Sequence, residues 1–267
     1  MNNLLRDLAP ITESGWETLD SEARERLAPA LAARKLVDFA GPHGWQHAAT
    51  KLGRTRALDA APAEGVQARQ RRVLALVELR APFEVSLEEL RDLDRGAVDT
   101  DLASLDAAAH SIAVAENTAV FHGWSEAAIA GVAQASPHDP CPLGASAEEY
   151  PRAVAGAVET LRGSGIGGPY GLALGPDQHR RVIETAEHGG TLVLDHLHKL
   201  LDGPLVWAPG VQGAIVLSMR GGDFLFDCGQ DLSIGYERHD AERVQLYLEE
   251  SFSFVVASPD AAVALTA

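Results

Sequence analysis

GQDLSIGYE, residues 229–237, with RGGDF just before it at 220–224, is the stretch that decides the fold. Leu232, Ile234 and Tyr236 alternate between Asp231 and Glu237, the period of a strand with one buried face. Glycines stand where the backbone turns or approaches a neighbour. No nucleophile–base pair and no metal-ligand spacing accompanies the segment. It reads as a strand of a structural sheet rather than as a catalytic motif.

Downstream the chain is almost wholly β, with strands expected at 224–228, 232–237, 244–256 and 262–265. At the other end a helix is expected over 13–34. Trp16, Leu19, Ala23, Leu27, Ala30 and Leu31 give it one apolar stripe. Ser14 and Glu17 have capping-box spacing, Thr12 is an equal candidate for the cap, and Pro29 should kink the helix. Residues 50–83 read as a long hairpin with its tip at 60–65, awkward in an isolated subunit because its edges need partners. Helices are expected at 86–94 and 102–121, the second carrying Glu116 on a mostly apolar side as a structural carboxylate. Beyond a Pro- and Gly-rich boundary at 136–146 come helices at 147–162, 176–184 and 191–201, with strands at 170–174 and 214–218. The class is α+β, with two discontinuous lobes.

The 267 residues carry a formal charge of −16, which opposes general nucleic-acid binding through phosphate neutralisation. The one basic run, RQRR at 69–72, reads as a solvated or subunit-contacting edge. Cys141 and Cys228 lack CxxC partners, so neither a disulfide framework nor a zinc site is expected. The start MNNLLRDLAP has no long apolar core of a secretory signal, and the most apolar stretch, 203–219, is broken by Pro204, Pro209 and three glycines. A soluble, cytoplasmic protein with no membrane partner is expected.

Two motifs invite a catalytic or binding reading and fail. Gly163, Gly165 and Gly168 match GxGxxG, but a helix precedes them and a strand follows, the reverse of a dinucleotide site. His188, Asp195, His196 and His198 cluster, yet residues two apart on a helix point away from each other and cannot chelate one ion. No GxSxG elbow is present. No catalytic residue, metal or cofactor is expected.

Together with GPHGWQHAA (41–49), MNNLLRDLAPIT (1–12) and VDTDLASLD (98–106), the 229–237 segment resembles the encapsulins, prokaryotic shell proteins with the major capsid protein fold of tailed bacteriophages. The motifs keep their order and nearly their spacing along the chain. The resemblance implies a peripheral domain from 1–49, 84–135 and 221–267, with the 102–121 helix as its spine and a β-sheet. It makes 50–83 the extended loop that lies across a neighbouring subunit, and 136–220 the axial domain. It further implies a homo-oligomeric, icosahedral T = 1 shell of sixty subunits and no enzymatic activity. The enclosed cargo in such shells is a dye-decolourising peroxidase or a ferritin-like iron-oxidising protein, linking them to oxidative stress and iron storage. That cargo is captured by a short C-terminal peptide.

By the same resemblance, Leu27, Leu31 and Ile234 supply apolar contacts to the cargo peptide, and Arg34, Asp38 and Asp231 fix its orientation. Ile234→Asp should then empty the shell without dismantling it. The loop 184–192, ETAEHGGTL, matches the family's ETSDHGYP-like five-fold pore loop at Glu184, Thr185, His188 and Gly189. Gly190 and Thr191 replace the usual aromatic and proline, which predicts a wider opening, and Glu184 and Glu187 would favour cations or small neutral molecules. Some relatives hold flavin on an aromatic at the position of Glu88, so flavin is not expected here. The alternatives are a bacteriophage major capsid protein, disfavoured by the full-length motif agreement and the absence of a scaffold-like N-terminal segment, or a secreted bacteriocin or protease.

Overall fold

The computed structural model describes residues 3–185 and 192–266. In chain order its elements are α1 (Glu13–Ala30), β1 (Asp38–Ala40), β2 (Ala49–Ala57), β3 (Arg69–Ala75), β4 (Val77–Ser86), α2 (Leu87–Asp94), α3 (Ala103–His122), α4 (Val132–Ala135), β5 (Cys141–Pro142), α5 (Tyr150–Gly163), β6 (Tyr170–Leu174), α6 (Pro176–Glu184), α7 (Val193–Leu201), β7 (Leu205–Trp207), β8 (Ala214–Ser218), β9 (Phe224–Cys228), β10 (Ser233–His239), β11 (Arg243–Val256) and β12 (Ala262–Thr266). No helix among the described residues is long and apolar enough to cross a membrane.

One five-stranded sheet is organised by β11. Its order is β1–β9–β11–β10, and β4 also pairs with β11. The antiparallel β4 pairing runs from Arg243↔Ser86 to Phe252↔Val77. β10 takes the first half of β11 and β9 the second. Because β11 is covered on both faces, its polar residues need partners inside the fold. Glu249 pairs with Arg80, Glu250 with Arg34, and Ser251 Oγ accepts from Gln230 N at 2.8 Å. The second sheet runs β5–β12–β8–β6–β7, and every residue of β6 and β8 is buried.

Two apolar cores result, and α3 belongs to both. Its first half (Leu105, Ala109, Ile112) packs with Leu19 and Leu27 of α1 and Ile234, Leu246 and Leu248 of the first sheet. Its last turns (Ala119, Val120, Phe121) join the core of the second sheet. A fully buried leucine contributes on the order of 2 kcal/mol, so this shared helix ties the two lobes together.

Three details depart from the sequence reading, and the choice it left open between Ser14 and Thr12 is decided. α1 stops at Ala30, short of Arg34, because the buried Asn117 side chain of α3 takes over the backbone. Its Oδ1 accepts from Ala32 N (3.0 Å) and Ala33 N (3.1 Å), and its Nδ2 donates to Ala30 O (2.8 Å) and Pro209 O (2.9 Å). Pro29 therefore sits in the last turn instead of kinking a longer helix. Thr12 is the cap, accepting from Gly15 N at 3.0 Å, while Ser14 Oγ donates to Asp94. β10 begins at Ser233, after a turn in which Ser233 Oγ donates to Asp231 O at 2.7 Å.

The hairpin expected over 50–83 divides. β2 and β3 pair with each other and with no other strand among the described residues. Residues 77–86 run instead within the first sheet, where alternate side chains point inward and Phe83 and Val85 are buried. At the far end, β12 leaves the first sheet and lies antiparallel to β8, from Ala262↔Leu217 to Leu265↔Ala214.

Candidate functional site

A cleft of about 410 Å³ lies between α1 and the start of β10. It brings together five of the six expected groove residues: Leu27, Leu31, Arg34, Asp231 and Ile234. Leu27 and Ile234 form its floor and are only 5% and 1% exposed. They belong to the core beneath the cleft. The half-buried Leu31 and Leu232 offer apolar surface at the rim. The polar rim comprises Asp20, Arg24, Arg34, Asp231 and Ser233.

Asp38 is not brought to the cleft. It sits on β1, beside β9, and its carboxylate accepts from Gly222 N at 2.6 Å.

Arg34 is the electrostatic centre of this region. Nε donates to Glu116 Oε2 at 2.7 Å, Nη1 to Asp231 Oδ1 at 2.5 Å, and Nη2 to Glu250 Oε2 at 2.6 Å. Glu116 and Glu250 are fully buried, whereas Asp231 faces outward. Burial pushes both buried carboxyls up, partly countered by Arg34. Glu250 rises well above the usual carboxylate range because the Glu116 charge adds to the desolvation. Arg34 stays protonated: burial opposes its charge, and the carboxylates outweigh that. The cluster contains a clamped cation but no activated nucleophile, and it anchors the chain just after α1 to α3, β11 and the turn before β10.

The sequence reading treated Glu116 as a structural carboxylate, which the Arg34 pairing bears out. It missed Glu250, which lies 216 residues from Arg34; a glutamate inside an otherwise apolar strand was the available signal. It also passed over Leu232 as a rim residue.

Of the expected pore residues, Glu184 closes α6, and Val193 N donates to Thr185 O at 3.2 Å, bringing the ends of the α6–α7 connection together. Glu187, His188, Gly189, Gly190 and Thr191 lie outside the described residues. A larger hollow of about 720 Å³ opens between α3 and β4, and none of the expected site residues borders it.

A protein-family model described as "Encapsulating protein for peroxidase" matches residues 1–253. This chain belongs to the encapsulin family. The type 1 encapsulin shell protein of Rhodospirillum rubrum is 46% identical to it over 270 residues, covering 99% of this chain and 96% of that one. The type 1 encapsulin shell protein of Mycolicibacterium paratuberculosis is 42% identical over 266 residues, covering 100% of both. In fold, the chain resembles a virus-like particle from Pyrococcus furiosus with a TM-score of 0.65 at 16% identity, over 93% of this chain and 98% of that one. It also resembles the capsid protein of a native GTA particle, with a TM-score of 0.52 at 14% identity, over 89% and 90%. The fold is that of viral capsid proteins, and these encapsulin relatives are named as shell proteins, not as enzymes.

Proposed function

We propose that copies of this chain assemble into a closed icosahedral T = 1 shell that encloses a cargo enzyme. The observation that carries this reading is the β2–β3 arm. It pairs only with itself among the described residues, it is exposed along most of its length, and it presents Val66 and Val73 at 57% and 55% exposure. An unaccompanied two-stranded ribbon is marginal in water, so a neighbouring copy is the natural source of the missing contacts.

Cargo capture is assigned to the α1–β10 cleft. A short extended peptide would place apolar side chains against Leu31 and Leu232 and its charges against Arg24, Arg34 and Asp231. Few anchors should dominate its affinity, because ordering the peptide costs entropy. The cargo to test first is a peroxidase, after the family description; a ferritin-like protein is the second. The connection between α6 and α7, from Glu184 to Thr191, is assigned to the five-fold pore through which small substrates reach the cargo, and the cytoplasm is the expected compartment.

The test is electron microscopy and mass measurement of the purified protein. Sixty copies of a 28.3 kDa chain give a particle of about 1.7 MDa before cargo. A stable monomer or dimer at micromolar concentration would overturn the shell reading. Co-expression with each candidate enzyme, with and without its C-terminal peptide, then separates capture through the peptide from passive trapping.

A further inference from the structure

Residues 41–48 connect β1 to the arm and lie along the end of β9. His43 N donates to Cys228 O at 3.0 Å and Gly44 N to Gly229 O at 2.8 Å. His47 N then donates to Gly44 O at 3.0 Å, a turn that brings the His43 and His47 rings to 4.7 Å between centroids. Both rings face Asp227 of β9. His43 Nε2 is 3.0 Å from Asp227 Oδ1, and His47 Nε2 is 3.1 Å from Asp227 Oδ2. One ligand atom from each residue lies within 4.8 Å of the other two.

We propose that His43, His47 and Asp227 form a site for one divalent transition-metal ion per subunit, of the zinc type, tying the root of the arm to the first sheet. Two imidazoles and one carboxylate are donors that zinc, nickel, copper and iron accept, whereas magnesium and calcium prefer oxygen alone. Tetrahedral zinc holds such ligands at about 2.0–2.2 Å, which separates neighbouring ligand atoms by roughly 3.3 Å. The nitrogen–oxygen separations present are a few tenths of an ångström shorter, so small side-chain rotations admit the ion.

The surroundings also suit a ligand set. The Thr50 hydroxyl donates to Asp227 Oδ2 and meets Ser253 Oγ behind it, so the carboxylate is oriented from the protein side. Such outer hydrogen bonds are what hold metal-ligating carboxylates in place. Asp227 is 7% exposed, while His47 is 28% and His43 44% exposed. An ion can therefore enter from solvent and keep a water as its fourth ligand. No metal was expected from the sequence because ligands were sought close together; His47 and Asp227 are 180 residues apart. Without an ion, the same residues form a hydrogen-bonded cluster, which is the competing account.

The test uses the full chain as purified, stripped with a chelator and titrated with zinc chloride by calorimetry, and with cobalt(II) followed by visible absorption. The wild type should bind one zinc per subunit at this site, and cobalt should give the intense bands of a four-coordinate centre. His47→Gln and His43→Gln should each lose one equivalent while retaining particle size and circular dichroism. Zinc should also raise the melting temperature of the wild type and leave that of both variants unchanged. Ten histidines are present in the chain, so the deciding quantity is the equivalent lost, not binding alone. Equal stoichiometry in the wild type and a folded variant, or no wild-type binding up to ~0.1 mM zinc, would overturn the site.

Discussion

Glu116 on α3 and Glu250 on β11, both sealed from solvent, are held by the same guanidinium, Arg34, through Nε and Nη2. Each has a second carboxylate oxygen, Oε1, without a hydrogen-bond partner among the described residues. Two buried negative charges around one cation are costly. Burial and the Glu116 charge push the Glu250 carboxyl well above the ordinary range, so a proton on Glu250 lowers that cost.

Glu250→Gln is accordingly predicted to stabilise the protein increasingly as pH rises. The folded-state value of Glu250 is raised, so the folded protein binds more protons than the unfolded chain. The stability this contributes is complete below the ordinary carboxylate range and is lost as pH climbs toward the raised value, by at most ~1.4 kcal/mol per pH unit. Melting temperatures of wild type and Glu250→Gln should nearly coincide near pH 4.5 and diverge toward pH 9. A constant gap across that range would show that no proton is held there.

The cleft calls for different substitutions from those the sequence suggested. Ile234 is 1% exposed and packs in the core of α1 and α3, so Ile234→Asp should cost several kcal/mol and remove folded subunit rather than empty the shell. Leu31→Ser and Leu232→Ser alter the half-buried rim. Each is expected to leave particles intact and to reduce cargo loading about tenfold, ~1.4 kcal/mol. Densitometry of cargo against shell in purified particles decides; unchanged loading in both variants would exclude this cleft.

Replacing residues 52–72 with an Asn-Gly turn should preserve the subunit and abolish the particle. Lys51 and Val73 are opposite each other in the β2–β3 ladder, so the cut ends already lie close together. Native circular dichroism together with a small species in size-exclusion chromatography is the expected result. Full-sized particles from this deletion would show that the arm is dispensable for assembly.

For the pore assignment, Gly190→Tyr supplies the bulky ring that the family's pore-loop pattern leads one to expect at this position. Turnover by an encapsulated peroxidase should fall for larger dye substrates and hold for hydrogen peroxide, because only passage through the shell changes. Equal turnover across the substrate sizes, with the same loading, would remove this loop from the permeability path.

The elements that sequence made legible are those whose signals are local. The five-residue strands 170–174, 214–218 and 224–228 and the helix 176–184 match the structure residue for residue, because short apolar runs between glycines and prolines define their own limits. What was hidden depends on contacts across the chain. Asn117 ends α1 from 85 residues away, and no pattern near Ala30 announces it. The arm ends at Ala75 because 77–86 finds β11, yet both halves of that stretch look like strand. In the cleft, Leu27, Leu31, Arg34, Asp231 and Ile234 came from resemblance to a family, and alternation alone would have placed Ile234 in the core, where it is. Asp38 came from the same resemblance, but its carboxylate accepts from Gly222 N and does not line the cleft.

The pairing of β12 with β8 constrains the order of events during synthesis. Every residue of β8 is buried, and one of its two edges is covered only when residues 262–266 arrive. A ribosome-bound chain that has exposed its arm therefore still carries an open, mostly apolar strand, Ala214–Ser218, in its second lobe. Domains fold as their last segment emerges, so the lobe closes some forty residues of translation after β8 itself appears. Copies made side by side on one messenger would present reactive edges to each other throughout that interval.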